Sequence, residues 1–233
     1  MVGIVVSLPW ELKSLTRQAI PVGAWKALSA STLVALSGIG AERAYAAGSV
    51  LVAQGATALI SWGYAAALDG RLRPGCLMLP ELVISADGEI YPVSAEWHRQ
   101  LRQSLEPKHA ICSGALVESD AIVKTPGEKR ALAIRTRAAA TDMESAAQAR
   151  LAKERRLPFV VIRAIIDTAS TDIPEKIQEA FRSQGEVRAW KILTSAALRP
   201  IDWIKMIRLG IQFNAAQRTL KKTGRLVLNS PRL

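Results

Sequence analysis

Cysteine is scarce in this 233-residue chain: Cys76 and Cys112 are the only two. Neither has a Cys or His neighbour at ligand spacing, so no disulfide framework and no zinc or other metal site is expected. The two read as separate core thiols in a reducing compartment. Histidine is equally sparse, and His98 and His109 stand in no motif, so both read as surface or packing residues. No window holds 18 uninterrupted apolar residues, which leaves no candidate for a spanning helix. The apolar start, Met1 to Val6, lacks a basic leader and a small-residue cleavage site. Pro9 and Glu11 end it quickly, so it reads as a first strand and not as a signal peptide. Internal repeats, low-complexity tracts and a linker before residue 199 are also missing.

What remains is an ordinary globular composition, 49% hydrophobic and 22% charged, on a chain long enough to bury its core without staples. The net charge of +11 is lopsided. Residues 199–233 hold eight Lys and Arg against Asp202 alone, so most of the excess belongs to the C-terminal segment. Such a segment attracts nucleic acid or an anionic membrane. Residues 201–222 have helical periodicity. Trp203, Ile204, Ile207 and Ile211 share one side, Met206, Leu209 and Phe213 widen it, and Lys205, Arg208, Gln212 and Thr219 lie opposite. This suits a helix in a membrane interface, with Trp203, Lys205, Arg208 and Phe213 as contacts. A helix packed on the domain or on a second copy, with a solvated basic face, fits the same pattern.

Alternating strand-like and helix-like segments predict a three-layer α/β/α domain with a central mixed, largely parallel sheet over residues 1–198, followed by a basic amphipathic helical extension over 199–233. Strands are expected at 3–7, 32–36, 58–62, 77–84, 89–91, 111–117 and 158–166. Helices are expected at 9–18, 41–54, 94–105 with Ser94 as cap, 127–136 and 142–156, with a further helical region opening at Pro174.

Two segments carry the chemistry. Ala140-Thr141-Asp142-Met143-Glu144-Ser145-Ala146-Ala147 sets Glu144 in the first turn of an alanine-rich helix. Phe159-Val160-Val161-Ile162-Arg163-Ala164-Ile165-Ile166-Asp167 drives an apolar strand into a lone carboxylate. An acid at the C-terminal end of a buried strand lies where open α/β sheets keep their sites. Strand alternation places residues 163, 165 and 167 on one face.

These two runs occur with Ser37-Gly38-Ile39-Gly40, with Ser61-Trp62-Gly63-Tyr64-Ala65-Ala66-Ala67-Leu68-Asp69 and with Val117-Glu118-Ser119-Asp120-Ala121-Ile122-Val123. Together, in order over most of residues 1–170, they resemble the nucleoside phosphorylase and nucleosidase superfamily of purine and uridine phosphorylase type. The resemblance implies cleavage of a purine N-ribosyl bond. Asp167 would be the general acid that protonates N7 of the leaving base. Glu144 would accept the ribose hydroxyls, with Met143 packed under the sugar. Ile122 and Val123 would hold the base, Gly63 and Tyr64 the ribose and nucleophile, and Glu11 with Arg163 would position that nucleophile.

The chain also departs from the family pattern. Ser61 or Trp62, and Tyr64, stand where phosphorylases carry an arginine and a small hydroxy residue. Tyr64-Ala65-Ala66-Ala67 replaces Ser-Ala-Gly-Gly, and Ile166 precedes the catalytic aspartate. A buried phosphate needs several N–H or cationic partners; Arg43, Arg71 and Arg73 are the candidates. Water therefore stands level with phosphate as nucleophile.

The divergent turn and the basic tail led by Arg199-Pro200 are similar to the hopanoid-biosynthesis branch, the adenosylhopane nucleosidases. That likeness implies adenine release from a lipid-linked purine nucleoside. It also implies no cofactor beyond inorganic phosphate as a conditional co-substrate, and a homo-oligomer, dimer or larger. The location implied is cytoplasmic, peripheral on the inner face of an anionic membrane, with no nucleic-acid partner. The alternatives are a methylthioadenosine/adenosylhomocysteine nucleosidase and a non-catalytic membrane or nucleic-acid adaptor on the same fold.

Overall fold

The computed structural model of the chain describes residues 1–173 and 200–229, with side chains from 207 onward in the second span. The helical region expected from Pro174 lies outside the described residues. Strand β1 (Val2–Val6) is buried at every position and pairs in parallel with β3 (Thr32–Leu36) and β4 (Ala58–Ala67). Burial on both faces explains why these strands are unbroken apolar runs. An outer strand, β2 (Trp25–Ser29), pairs antiparallel with β3. The sequence reading missed it because its residues are mostly exposed and form no apolar run. Beyond β4 lie β5 (Leu77–Met78), β6 (Leu82–Ile84), β7 (Ile90–Pro92), β8 (Ile111–Cys112), β9 (Ala115–Glu118), β10 (Ala140–Asp142) and β11 (Phe159–Asp167).

The sheet is mixed and mostly parallel, in the order β2-β3-β1-β4-β10-β9-β6-β7, with β11 on the other edge of β4. Helices cover both faces. One core cluster joins Leu51 of α2 (Ala41–Ala53) with Ala149 and Leu151 of α5 (Ser145–Arg155). The opposite cluster joins Leu12 of α1 (Pro9–Leu15), Leu101 and Leu105 of α3 (Ala95–Leu105), and Ala216, Leu220 and Val227 of α6 (Pro200–Leu228). This is the expected three-layer architecture. Helix α4 (Pro126–Thr136) packs Leu132 into a third, small cluster with Leu68, Ile84 and Val117. Its start is a capping box: Thr125 Oγ1 accepts from Glu128 N–H at 3.2 Å, Glu128 Oε2 accepts from Thr125 N–H at 3.2 Å, and Pro126 opens the helix.

Several expectations change. Cys76 and Cys112 are not separate thiols: parallel pairing of β5 with β8 brings their sulfurs together as a disulfide. The strands foreseen at 77–84 and 111–117 each break in two, and β4 runs five residues past the expected end at 62. Residues 140–142 form a strand, so α5 starts at Ser145 and Glu144 is its N-cap residue in a non-helical conformation. Ser94 precedes α3, but its Oγ accepts from Phe159 N–H at 2.8 Å instead of capping the helix.

The segment set apart as residues 199–233 contributes to the core over its described C-terminal half, where Ala216, Leu220 and Thr223 have no exposed surface. Two glycines admit this helix. Gly75 (φ +85) has Ala215 against it, with a would-be Cβ only 3.2 Å from the Ala215 methyl. At Gly224, the carbonyl oxygen of Ser14 leaves no room for a Cβ. Thr219 Oγ1 also donates to Gly75 O at 2.6 Å.

Candidate active site

The site follows from how β4 is paired. Along one edge β4 pairs with β1 up to Val6↔Trp62, and then with β10 from Thr141↔Ala66. Between those pairings, residues 63–65 have no strand partner on that edge. A crevice at such a change of strand partner is where α/β sheets bind ligands. Glu11, in the first turn of α1, fills the gap. Its Oε1 accepts from Tyr64 N–H at 2.9 Å, and its Oε2 accepts from Ser7 N–H at 2.8 Å and Leu8 N–H at 2.9 Å. Gly63 lies directly under the carboxylate, with a would-be Cβ 2.7 Å from Glu11 Cδ. Glu11 is 4% exposed; burial raises its pKa, and the nearby Arg163 charge and the three amides oppose that rise.

Arg163, on β11 opposite Gly63, is buried. Its guanidinium donates to Asp142 Oδ2 through Nη2 at 2.6 Å and Nε at 2.9 Å, and also to Ser61 Oγ and Ser145 Oγ. Ser145 Oγ donates to Asp142 Oδ2 as well. Glu144 is beside this knot, with Oε1 accepting from Gly40 N–H at 2.9 Å. Gly40 is at φ +106, the left-handed side that glycine tolerates, in the Ser37-Gly38-Ile39-Gly40 turn. Burial, and then the charges of Asp142 and Glu11, push the Glu144 carboxyl up to about 8. Three buried acids thus surround one guanidinium, and Asp142 takes most of that guanidinium for itself.

Asp167 sits apart from this cluster, at the C-terminal end of β11. The pairing of β11 with β4 slips between Ile165 and Asp167, so Asp167 lies opposite Ala66. The bulge takes Asp167 out of alternation with Arg163, correcting the expectation that 163, 165 and 167 share a face. Its Oδ2 accepts from Lys129 Nζ of α4 at 2.8 Å, and Lys129 Nζ also donates to Thr168 O at 2.8 Å. Lys129 has no exposed surface. Asp167 Oδ1 is buried without a hydrogen-bond partner among the described residues. Burial raises the Asp167 pKa, and the Lys129 charge opposes that rise. Thr141, Ala66 and Asp167 occupy one register line across β10, β4 and β11. Two strand spacings, about 10 Å, therefore separate the backbone of Asp167 from that of Thr141.

The remaining residues divide. Met143 lines a cleft of about 260 Å³ with Gly40, Arg43, Ser119 and Asp120, next to Glu144. Val123 is half-buried against the cluster of Leu68, Ile84, Val117, Leu132 and Ala138, and Ile122 is half-buried in the loop after β9. Gly63 and Tyr64 meet the acid cluster through their backbone. The Tyr64 ring turns away to Phe213, with centroids 5.6 Å apart, and its hydroxyl donates to Gln217. Phe213 therefore faces the domain, against Trp10 and Tyr64, and not a membrane. Arg208 is exposed, as are Ile207 and Ile211. The side chains of Trp203 and Lys205 lie outside the described residues.

Sequence reasoning assigned no role to Asp142 or Lys129. Asp142 sat unassigned inside the Asp-Met-Glu run. Lys129 carried one faint signal, a basic residue three positions before the buried Leu132.

A sheet of this topology, with buried acids at a strand-switch crevice, defines an α/β enzyme of the phosphorylase and nucleosidase kind. A family model described as the phosphorylase superfamily matches residues 2–197, and the chain belongs to that superfamily. Among solved structures it is similar to the 5′-methylthioadenosine/S-adenosylhomocysteine nucleosidase of Helicobacter pylori, at 17% identity over 97% of this chain and 95% of that one, with a TM-score of 0.72. Futalosine hydrolase of the same organism gives 16% identity, 97% and 95% coverage, and a TM-score of 0.71. The Neisseria meningitidis methylthioadenosine/adenosylhomocysteine nucleosidase gives 18% identity, 97% and 96% coverage, and a TM-score of 0.69. At these identities the likeness is one of fold. No curated protein matches the chain. Membership of that superfamily makes the protein an enzyme of the phosphorylase and nucleosidase kind.

Proposed function

We propose that the chain hydrolyses the N-ribosyl bond of adenosylhopane, a purine nucleoside with a large apolar 5′ substituent, and releases adenine. Asp167 gives the proton to N7, so the base leaves neutral. Glu144 bonds the ribose hydroxyls and, in its ionised form, steadies the positive charge that develops on the ring. Glu11 orients and deprotonates the attacking water, and Arg163 holds the surrounding acids in place.

The observation that carries hydrolysis is the Glu11 carboxylate, seated on the amides of Ser7, Leu8 and Tyr64. A buried phosphate needs several N–H or cationic partners, and these three amides are occupied. Arg163 is already taken by Asp142, Arg71 is paired with Asp69, and Arg73 Nη1 is turned to Gly70 O. The ionised Glu11 carboxylate would also repel a dianion.

An apolar 5′ group is supported by the surface beside the crevice. A groove of about 1050 Å³ between α4 and α6 is lined by Leu68, Ile134, Ile207, Ile211 and, at one end, Thr168. Arg73, Arg130 and Arg208 also line it, with no acid among the described lining residues. That combination suits a membrane interface with anionic lipid. Among the described residues no helix is long and apolar enough to cross a membrane.

The second reading, a methylthioadenosine/adenosylhomocysteine nucleosidase, is favoured by the fold likeness to the H. pylori enzyme. Incubation with adenosylhopane and with methylthioadenosine, each with and without phosphate, separates the two. The expected result is adenine and a free ribosyl hopane at a rate independent of phosphate. A phosphoribosyl product overturns the hydrolytic assignment. Turnover of methylthioadenosine alone overturns the lipid substrate.

A further inference from the structure

We propose that Lys129 is a positioning residue of this enzyme: its ammonium holds one oxygen of Asp167 so that the other alone is offered to the leaving base. The proposal rests on the assignment of Asp167 as general acid. Its physical basis is the contrast between the two carboxylate oxygens. Oδ2 is held by Lys129 Nζ at 2.8 Å, and the same ammonium is anchored on Thr168 O at 2.8 Å. Oδ1 is buried and has no hydrogen-bond partner among the described residues. A buried carboxylate oxygen left unpaired is costly unless a ligand completes it. Asp167 is 3% exposed and Lys129 is fully buried, so bulk water does not make up the difference.

The lysine also acts on the chemistry. In the step itself the Oδ1–H bond breaks and N7–H forms, while the C1′–N9 electron pair goes to the base. Water adds to C1′ and its proton goes to Glu11. Asp167 is left as an anion beside an ammonium, so the attraction of Lys129 grows as the proton departs. An interaction that strengthens only along the reaction accelerates it. Lys129 is the charged side chain that acts on Asp167 among the described residues, and the nearby Ala67 backbone adds a smaller pull toward the anion. Removing the ammonium weakens the acid, because the carboxyl keeps its proton to higher pH.

The test measures adenine release from adenosylhopane and from methylthioadenosine between pH 5 and 10, and adenine binding by calorimetry over the same range. It uses full-length wild type, Lys129→Met, Lys129→Arg and Asp167→Asn. For Lys129→Met the expected result is kcat lower by at least about tenfold, KM within a few-fold, and an alkaline limb moved up by about 1–3 pH units. The break in adenine affinity should move with it. A purely structural lysine would lower activity and leave the limb in place, and that outcome overturns the proposal. Lys129→Arg keeps the charge and serves if the methionine variant does not fold. Its kcat should fall with the limb unmoved, because a longer planar fork cannot hold Oδ2 and Thr168 O in the same places; wild-type kcat refutes the positioning claim. Asp167→Asn within a few-fold of wild type, or no adenine binding by the wild type, removes the acid itself and the proposal with it. An inactive Asp167→Asn with an unmoved limb in Lys129→Met removes the lysine alone.

Discussion

Glu144→Gln should make the protein's stability less dependent on pH. The Glu144 carboxyl is pushed from an ordinary 4.5 up to about 8, first by burial and then by the charges of Asp142 and Glu11. The native state therefore holds a proton between those two values that the unfolded chain has released. Stability from this proton is complete below about pH 4.5 and is lost as pH rises towards 8. Each pH unit in that window is worth about 1.4 kcal/mol, so the whole window is on the order of 5 kcal/mol. Glutamine has nearly the same volume, stays neutral throughout, and can still accept from Gly40 N–H. Glu11 shares the same field and is itself raised, so it retains part of the slope in the variant. The expected difference between wild type and Glu144→Gln across pH 5–9 is about 2–5 kcal/mol. Urea unfolding at half-unit steps of pH reads it directly. Parallel curves for the two proteins would refute the clustered-acid reasoning.

Three further outcomes follow from the packing. Gly63→Ala should displace the Glu11 carboxylate, because the added methyl would lie on it; adenine release should fall at least about tenfold, and wild-type rates would show that Glu11 need not sit there. Leu220→Ala, on the buried face of α6, should cost about 3 kcal/mol in chemical denaturation; a loss under about 0.5 kcal/mol would mean that the helix contributes little to the core. Replacing exposed Ile207 and Ile211 together by serine should leave the unfolding midpoint in place and reduce binding to vesicles containing phosphatidylglycerol; unchanged vesicle binding would remove α6 from the membrane-facing surface.

What the sequence determined by itself was whatever depends on short-range pattern. Apolar runs such as Phe159–Asp167 and Val2–Val6 announce buried parallel strands because both of their faces must leave water. Through local spacing, the Asp-Met-Glu run and the strand-end Asp167 drew attention to two acids that are buried in the fold. What only the tertiary structure decided depends on partners distant along the chain. The Arg163–Asp142 and Lys129–Asp167 pairs join residues 21 and 38 positions apart, and no periodicity encodes such a meeting. The bulge at Ile166 separated two residues that regular alternation places together, since one extra residue in a ladder reverses the side on which the next one emerges. The same limit hid the Cys76–Cys112 pairing, which required β5 and β8 to lie side by side. It also hid the inward turn of Phe213: an amphipathic helix shows from its sequence that one side avoids water, but the surface that covers that side is supplied by the rest of the fold.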